Sequence, residues 1–275
     1  MPELPETETI ARDLDAAIGG AVIDAVRVRH ADVLREVSAR DLGKRVIGTT
    51  IVRCWRRAKL VVIDLSTSDR IVVQPRFTGA LLIDEGHLDD AERRYSTVAF
   101  HLGDGRKLHY RDIRRLGTLA LMNPARFSEY VSAIGPEPLD SAFTVEHLSA
   151  RIRRSRQAIK KVLMDQKAIA GVGNIYANEG LWRARIDPSR SAATLTAGET
   201  ARLHEAIVSV LTESIDARGT SFRDYRDASG QRGRFAEQLD AYGRVGEPCH
   251  RCGHRLIGTH VIDGRMTVLC AACQS

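Results

Sequence analysis

Apolar positions change their period along this chain. In residues 3 to about 18, Ile10, Leu14 and Ile18 recur at helical spacing and Gly19-Gly20 ends the run, which predicts a leading helix. From residue 21 to about 121 the period shortens to that of strands. AVIDAVRVR, RVIGTTIVRC, KLVVIDLS, RIVVQPRF, ALLID, STVAFHL, KLHYRD and TLALM are rich in β-branched residues and separated by Gly, Asp or Ser turns. GDGRK at 103–107 marks a hairpin. Seven or eight closely spaced strands predict an antiparallel β-sandwich.

Residues 123–142 contain Pro124, Pro136 and Pro138 and read as a connection. Helices follow. Thr144 can cap one running to about residue 155, residues 157–166 form another, AGVGN punctuates, and 175–185 resume. Thr196-Ala-Gly-Glu199 is a capping box for a helix carrying Leu203, Ile207, Val210, Leu211 and Ile215, with Gly219 at its end. Residues 220–246 are polar and long enough for a functional loop. The expected organisation is α+β and multidomain: a sandwich with its leading helix over 1–122, a linker over 123–143, a helical domain over 144–246 and a cysteine-bearing tail over 247–275.

Composition adds a partner and a metal. Lys+Arg number 41 against 35 Asp+Glu, a net charge of +6 that favours a polyanion. No run approaches the ~18 apolar residues of a membrane span, and the first residues are too acidic for a signal peptide, so a cytoplasmic protein is expected. Cys54 stands alone and reads as a small buried apolar residue. Cys249-x-x-Cys252 and Cys270-x-x-Cys273, seventeen residues apart, match a tetrahedral four-sulfur site for one structural Zn2+ with no open position for water. Between the pairs, LIGTHVIDGRMTVL predicts a hairpin with Asp263-Gly264 at the turn and Arg265 at its tip, suited to a phosphate or simply solvated.

Three further stretches carry chemistry. RIRRSRQAIKK, residues 151–161, gathers six positive charges before AGVGNIYANE, where Gly171 and Gly173 would free backbone N–H groups at a helix N-terminus and Asn174 adds a side-chain donor. That is a seat for a nucleic-acid backbone, although either part alone reads more readily as a solvated face or an ordinary glycine loop. In WRRAKLVV, Lys59 begins an apolar strand, so its head is either held at the sandwich edge or snorkels to water. The N-terminal MPELPE is the third. With Met1 removed, Pro2 presents a secondary amine, which can form an iminium on a sugar carbon without first losing an extra proton. An α-amino group titrates near ~8 against ~10.4 for lysine, so far more of it is a free base at pH 7. Glu3 could move protons at the same centre. Taken alone, the stretch reads more readily as an ordinary helix entrance.

MPELPE, RRAKLVV, DIRRLG, IGPEPL, GVGNIYANE, YGR-GEPC and a terminal four-cysteine finger occur in this order. In this combination the chain resembles the bacterial formamidopyrimidine-DNA glycosylases over nearly its full length. The resemblance implies a β-sandwich, a helix–two-turn–helix module and a zinc finger, acting as a monomer on double-stranded DNA with oxidised bases or abasic sites. It implies Pro2 as the nucleophile at C1′, Glu3 as acid/base, Lys59 for β-elimination and a phosphate contact, and Arg265 for δ-elimination. Asn174 would bind phosphate and Arg114 would fill the space of the flipped base. Arg156 and Tyr242 fall at or beside backbone contacts, and residues 220–233 resemble the lid over the everted base.

Two departures bear on specificity. Where the family usually has His-Leu-Gly-Met-Ser-Gly, this chain has Gln74-Pro75-Arg76-Phe77-Thr78-Gly79, so the intercalating methionine becomes Phe77 and a histidine contact becomes Gln74. The intercalating Phe of D-P-R-R-F-G is Leu116, and a histidine at another DNA contact is Tyr95. Both wedges stay apolar, unless Phe77 and Leu116 are core strand residues. An endonuclease VIII-like enzyme for oxidised pyrimidines, or a DNA-binding protein without turnover, fits part of the same pattern.

Overall fold

A computed structural model describes residues 2–222 and 225–275. The expected removal of Met1, and Arg223 and Asp224 of the expected lid, lie outside the described residues. The chain divides into two compact units, Met1–Ala133 with Ala217–Arg234, and Ile134–Asp216 with Phe235–Ser275. The division differs from the expected boundaries in that 217–234 returns to the sandwich and 123–133 stays with it.

The first unit begins with α1 (Leu4–Ile18), which lies against β3 and β4 (Ile51–Arg57, Leu60–Leu65). The remaining strands are β1 (Ile23–Val28), β2 (Leu34–Arg35), β5 (Arg70–Gln74), β6 (Gly79–Asp84), β7 (Ser96–Leu102), β8 (Lys107–Asp112) and β9 (Thr118–Met122), with α2 (Ala39–Val46), α3 (Asp90–Arg94) and α4 (Pro124–Val131) between or after them. They form two sheets, ordered β1-β7-β8-β6 and β2-β9-β5-β4-β3, antiparallel except where β2 runs parallel to β9. Strand alternation turns one side chain in two toward the core. Val61, Ile63, Ile71 and Val73 of one sheet meet Leu81, Phe100, Leu108 and Tyr110 of the other, with Ile10, Leu14 and Ile18 of α1 in the same cluster. Burying each such side chain contributes about 1.5–3 kcal/mol.

The second unit holds α5 (Val145–Ile152), α6 (Ile159–Met164), α7 (Asn174–Ala184) and α8 (Ala197–Asp216), then the hairpin β10 (Ile257–Thr259) and β11 (Thr267–Leu269). Thr144 caps α5 by accepting from the His147 N–H at 3.3 Å, and Thr196 and Glu199 close the reciprocal box before α8. Among the described residues no helix is long and apolar enough to cross a membrane.

Glu199 also accepts from both terminal guanidinium nitrogens of Arg190, and this partner, with the Thr196 N–H, lowers its pKa from the ordinary 4.5 to about 2. A folded-state value below the unfolded one means that ionised Glu199 favours the fold above about pH 4.5, and the gain is lost as pH falls toward 2. Solvent screening limits the gain to about 1 kcal/mol. Glu199→Gln is therefore expected to lower the melting temperature at pH 7 by a few degrees and to leave stability near pH 2 unchanged. An equal loss at both pH values would contradict this ion pair.

Candidate active site and nucleic-acid interface

Pro2 and Glu3 are both buried at the head of α1. The Glu3 N–H donates to Glu6 Oε2 at 2.8 Å, and Thr7 donates to the Glu3 carbonyl from both its N–H (3.0 Å) and its hydroxyl (2.7 Å), so the residue beside Pro2 is held by local bonds. The other oxygen of Glu6 accepts from the Thr220 N–H at 2.8 Å. One carboxylate thus secures both the helix entrance and the segment that returns from α8. Sequence reasoning missed Glu6; its signal was the E-x-x-E spacing at a helix start.

Lys59 is not the first residue of a strand. Ala58 and Lys59 form the two-residue turn between β3 and β4, since Arg57 pairs with Leu60. Ala58 has φ +53°, a left-handed conformation costing a non-glycine residue about 1 kcal/mol. The turn is braced by Arg56, which donates to the Ala58 carbonyl and to Glu8 Oε2 of α1, and Lys59 is half-buried at its tip. Burial opposes ionisation of Glu8, but the Arg56 and Arg12 guanidinium groups outweigh it and its pKa is lowered. The Lys59 backbone is therefore set by a braced hairpin turn rather than by a strand start.

Phe77 and Leu116 are not core residues: they are 50% and 41% exposed, each on a loop outside the strands. The Arg114 guanidinium lies 5.7 Å from the Phe77 ring centroid, so the two loops present an apolar and a cationic group together. Gln74 ends β5 at the foot of the Phe77 loop, and Tyr95, 39% exposed, follows α3.

In the second unit the expected phosphate-binding residues meet the finger hairpin. The Asn174 amide donates to the Met266 carbonyl at 3.1 Å. Lys160, one of the six cations of the basic run, is not on the surface at all: it is fully buried, donates to Met266 O at 3.2 Å and Thr267 Oγ1 at 2.8 Å, and lies 3.5 Å from Asp263. Nor is the Gly171 N–H free for an anion, because Gln166 Oε1 accepts it at 2.9 Å. Arg156 is exposed, and Arg265 projects from the tip beside Gly264 (φ +76°). Arg265, Lys161 and Gln157 line one open groove of about 560 Å³. Glu179, missed in the sequence, is fully buried in α7 and accepts the N–H groups of Asp240, Ala241 and Tyr242 at 2.7–2.9 Å. It fixes the backbone that carries Tyr242 toward the finger.

The sulfurs of Cys249, Cys252, Cys270 and Cys273 lie within 4.8 Å of one another and could hold a metal ion. Burial disfavours the Cys249 thiolate, but the N–H groups of Arg251 and Cys252 outweigh it and bring its pKa to about 6. Cys273, hydrogen-bonded to Cys252 and beside the other thiols, is pushed up to about 12. Four sulfurs this close resist repeated ionisation unless a cation neutralises them, so the donor set fits a soft divalent metal.

The N-terminal domain model of formamidopyrimidine-DNA glycosylase matches residues 1–119, and the corresponding H2TH domain model matches 134–226. The chain is similar to the formamidopyrimidine-DNA glycosylase of Pelotomaculum thermopropionicum, 40% identical over 100% of this chain and 99% of the relative. Two solved structures of the Lactococcus lactis enzyme, the wild type with DNA containing N7-benzyl-Fapy-dG and a complex with abasic-site DNA, are each 30% identical with TM-scores of 0.92, covering 100% and 99% of both chains respectively. The fold is thus that of a DNA glycosylase. The chain belongs to the formamidopyrimidine-DNA glycosylase family.

Proposed function

We propose that this chain is a monomeric, bifunctional DNA glycosylase and AP lyase that removes 8-oxoguanine and formamidopyrimidines from double-stranded DNA in base excision repair. The observation that carries the reading is a buried Pro2-Glu3 pair on a bonded helix head, in the same unit as a braced Lys59 turn and a paired Phe77–Arg114 wedge. A base must leave the stack before its sugar can be attacked, and Phe77, Arg114 and Leu116 would occupy the gap.

The Pro2 nitrogen, freed by loss of Met1, attacks C1′; the N-glycosidic bond breaks and the base leaves with a proton. Ring opening of the sugar, assisted by Glu3, gives the iminium. Its positive charge acidifies the 2′ proton, whose loss expels the 3′ phosphate, and a second elimination expels the 5′ phosphate. Lys59 and Arg265 stabilise the departing anions. Asn174, Arg156, Tyr242, Tyr95 and Gln74 hold the backbone around the lesion, and residues 220–233 cover the everted base. Zinc, held by the four cysteines, would fix the hairpin that carries Arg265 and takes no part in bond making. With chromosomal DNA as the substrate, the site of action is the bacterial cytoplasm.

Borohydride reduction is expected to trap the protein covalently on duplexes with 8-oxoguanine opposite cytosine and with an abasic site, and at least ~10-fold less on thymine glycol. Preferential trapping on thymine glycol would replace the purine reading with the pyrimidine one. Salt-sensitive binding without any strand cleavage would replace it with a non-catalytic one.

A further inference from the structure

Asp112 ends β8 just before the loop that bears Arg114 and Leu116, and it is buried at 1% exposure. Its hydrogen bonds reach three segments that the proposed function turns toward DNA. Its Oδ1 accepts from the Thr78 hydroxyl at 2.5 Å, next to Phe77, and its Oδ2 accepts from the Gly117 N–H at 2.8 Å, next to Leu116. Its own N–H donates to the Tyr95 carbonyl at 3.1 Å. The Thr78 oxygen is shared in turn, accepting from the Arg114 N–H at 3.0 Å, while Arg111 donates to the Thr78 carbonyl at 3.2 Å.

The two loops are also in steric register. A Cβ on Gly117 would fall 2.2 Å from the Tyr110 hydroxyl and 2.6 Å from the Gln74 carbonyl oxygen, so only glycine lets the backbones approach this closely. Each loop holds a left-handed arginine, Arg76 at φ +53° and Arg115 at φ +51°. Such conformations persist where surrounding bonds over-determine them, and the Asp112–Thr78 pair supplies those bonds.

We infer that Asp112 is the positioning residue of the wedge, clasping the Phe77 loop and the Arg114–Leu116 loop through Thr78 and Gly117 so that they enter the base stack as one preassembled piece. This rests on the proposed glycosylase reading. Asp112 itself touches no reacting atom. A clasp of this kind sets how fast a paired base is extruded and leaves the chemistry at C1′ alone.

The test compares Asp112→Asn and Thr78→Val with the unaltered protein on two substrates: duplex DNA with 8-oxoguanine opposite cytosine, and single-stranded DNA with an abasic site, which needs no unpairing. Single-turnover excision from the duplex is expected to fall ~10- to 100-fold in both variants, with a matching slowing of the fluorescence rise of 2-aminopurine placed beside the lesion. Strand cleavage at the single-stranded abasic site is expected to change less than ~3-fold. Thr78→Ser, which keeps the hydroxyl, is expected to retain the duplex rate. Equal losses on both substrates in the folded Thr78→Val protein, or no loss on the duplex, would overturn the clasp. Should Asp112→Asn not fold, Thr78→Val against Thr78→Ser decides alone. Failure of the unaltered protein to cleave either DNA would instead sink the glycosylase reading, and the 2-aminopurine signal would still report whether the wedge inserts as one piece.

Discussion

Replacing Pro2 with glycine is expected to take borohydride trapping on 8-oxoguanine DNA below detection, a fall of at least about 10³-fold in single-turnover rate. A glycine terminus is a primary amine, which must shed one more proton on the way to an imine. It also rotates freely, and the orientation supplied by the pyrrolidine ring is lost. The fold is expected to survive, because the head of α1 is held by Glu6 on the Glu3 N–H and by Thr7 on the Glu3 carbonyl, none of which uses the Pro2 ring. Melting temperature and DNA affinity should therefore stay close to the parent values. An unchanged adduct yield, or an adduct mapped to Lys59, would move the nucleophile elsewhere.

Removing the metal, or replacing Cys270 with serine, is expected to unfold the finger and leave the sandwich unit intact. The hairpin has three-residue strands and a small cluster formed by Trp182, Ala241, Cys249, Leu256, Val268 and Cys270. So small a core cannot offset the entropy of ordering the chain, whereas a structural zinc site contributes ~10–16 kcal/mol of apparent binding energy. Loss of the hairpin also releases Arg265 and frees the Asn174 amide from Met266. Affinity for abasic-site duplex is expected to drop on the order of 10–100-fold, with a new low-temperature melting transition beside an unshifted one for the sandwich. Full affinity after chelation, with the metal shown to be gone, would contradict the assignment.

How much of this was legible in the sequence depended on distance along the chain. The leading helix, most strands, the Thr144 and Thr196 caps and the Asp263-Gly264 hairpin were legible because each is set by residues within a few positions of one another. Three helices escape the pattern for local reasons. The first, α3, is a short turn started by Asp89, which accepts from the Glu92 N–H. The β-branched neighbours of Arg45 and Val46 suggest a strand, but Ser38 caps α2 and accepts from the Asp41 N–H. Asn123-Pro124 carries a breaker signal, yet Asn at the cap and Pro at the first turn start α4. The bonds that build the candidate site span far more: 34 residues from Thr78 to Asp112, 61 from Glu179 to Asp240 and 214 from Glu6 to Thr220. No periodicity reports such pairs. Motif resemblance found the residues at their ends, and not the carboxylates that hold them.

The returning segment has pinned feet. Thr220 sits on Glu6, Arg234 donates to the Ala217 carbonyl at 2.8 Å, and Tyr225 and Ala228 are anchored in the sandwich core. Arg218 adds ion pairs to Asp13 and Asp227. On the proposed reading of this segment as the cover of the everted base, its described residues 221–222 and 225–233 are a natural cassette for engineering altered lesion preference. Grafts from other glycosylases can vary exposed positions such as Gln231 and Arg232, provided an aromatic at 225, Asp227, a small residue at 228 and glycine at 230 and 233 are retained.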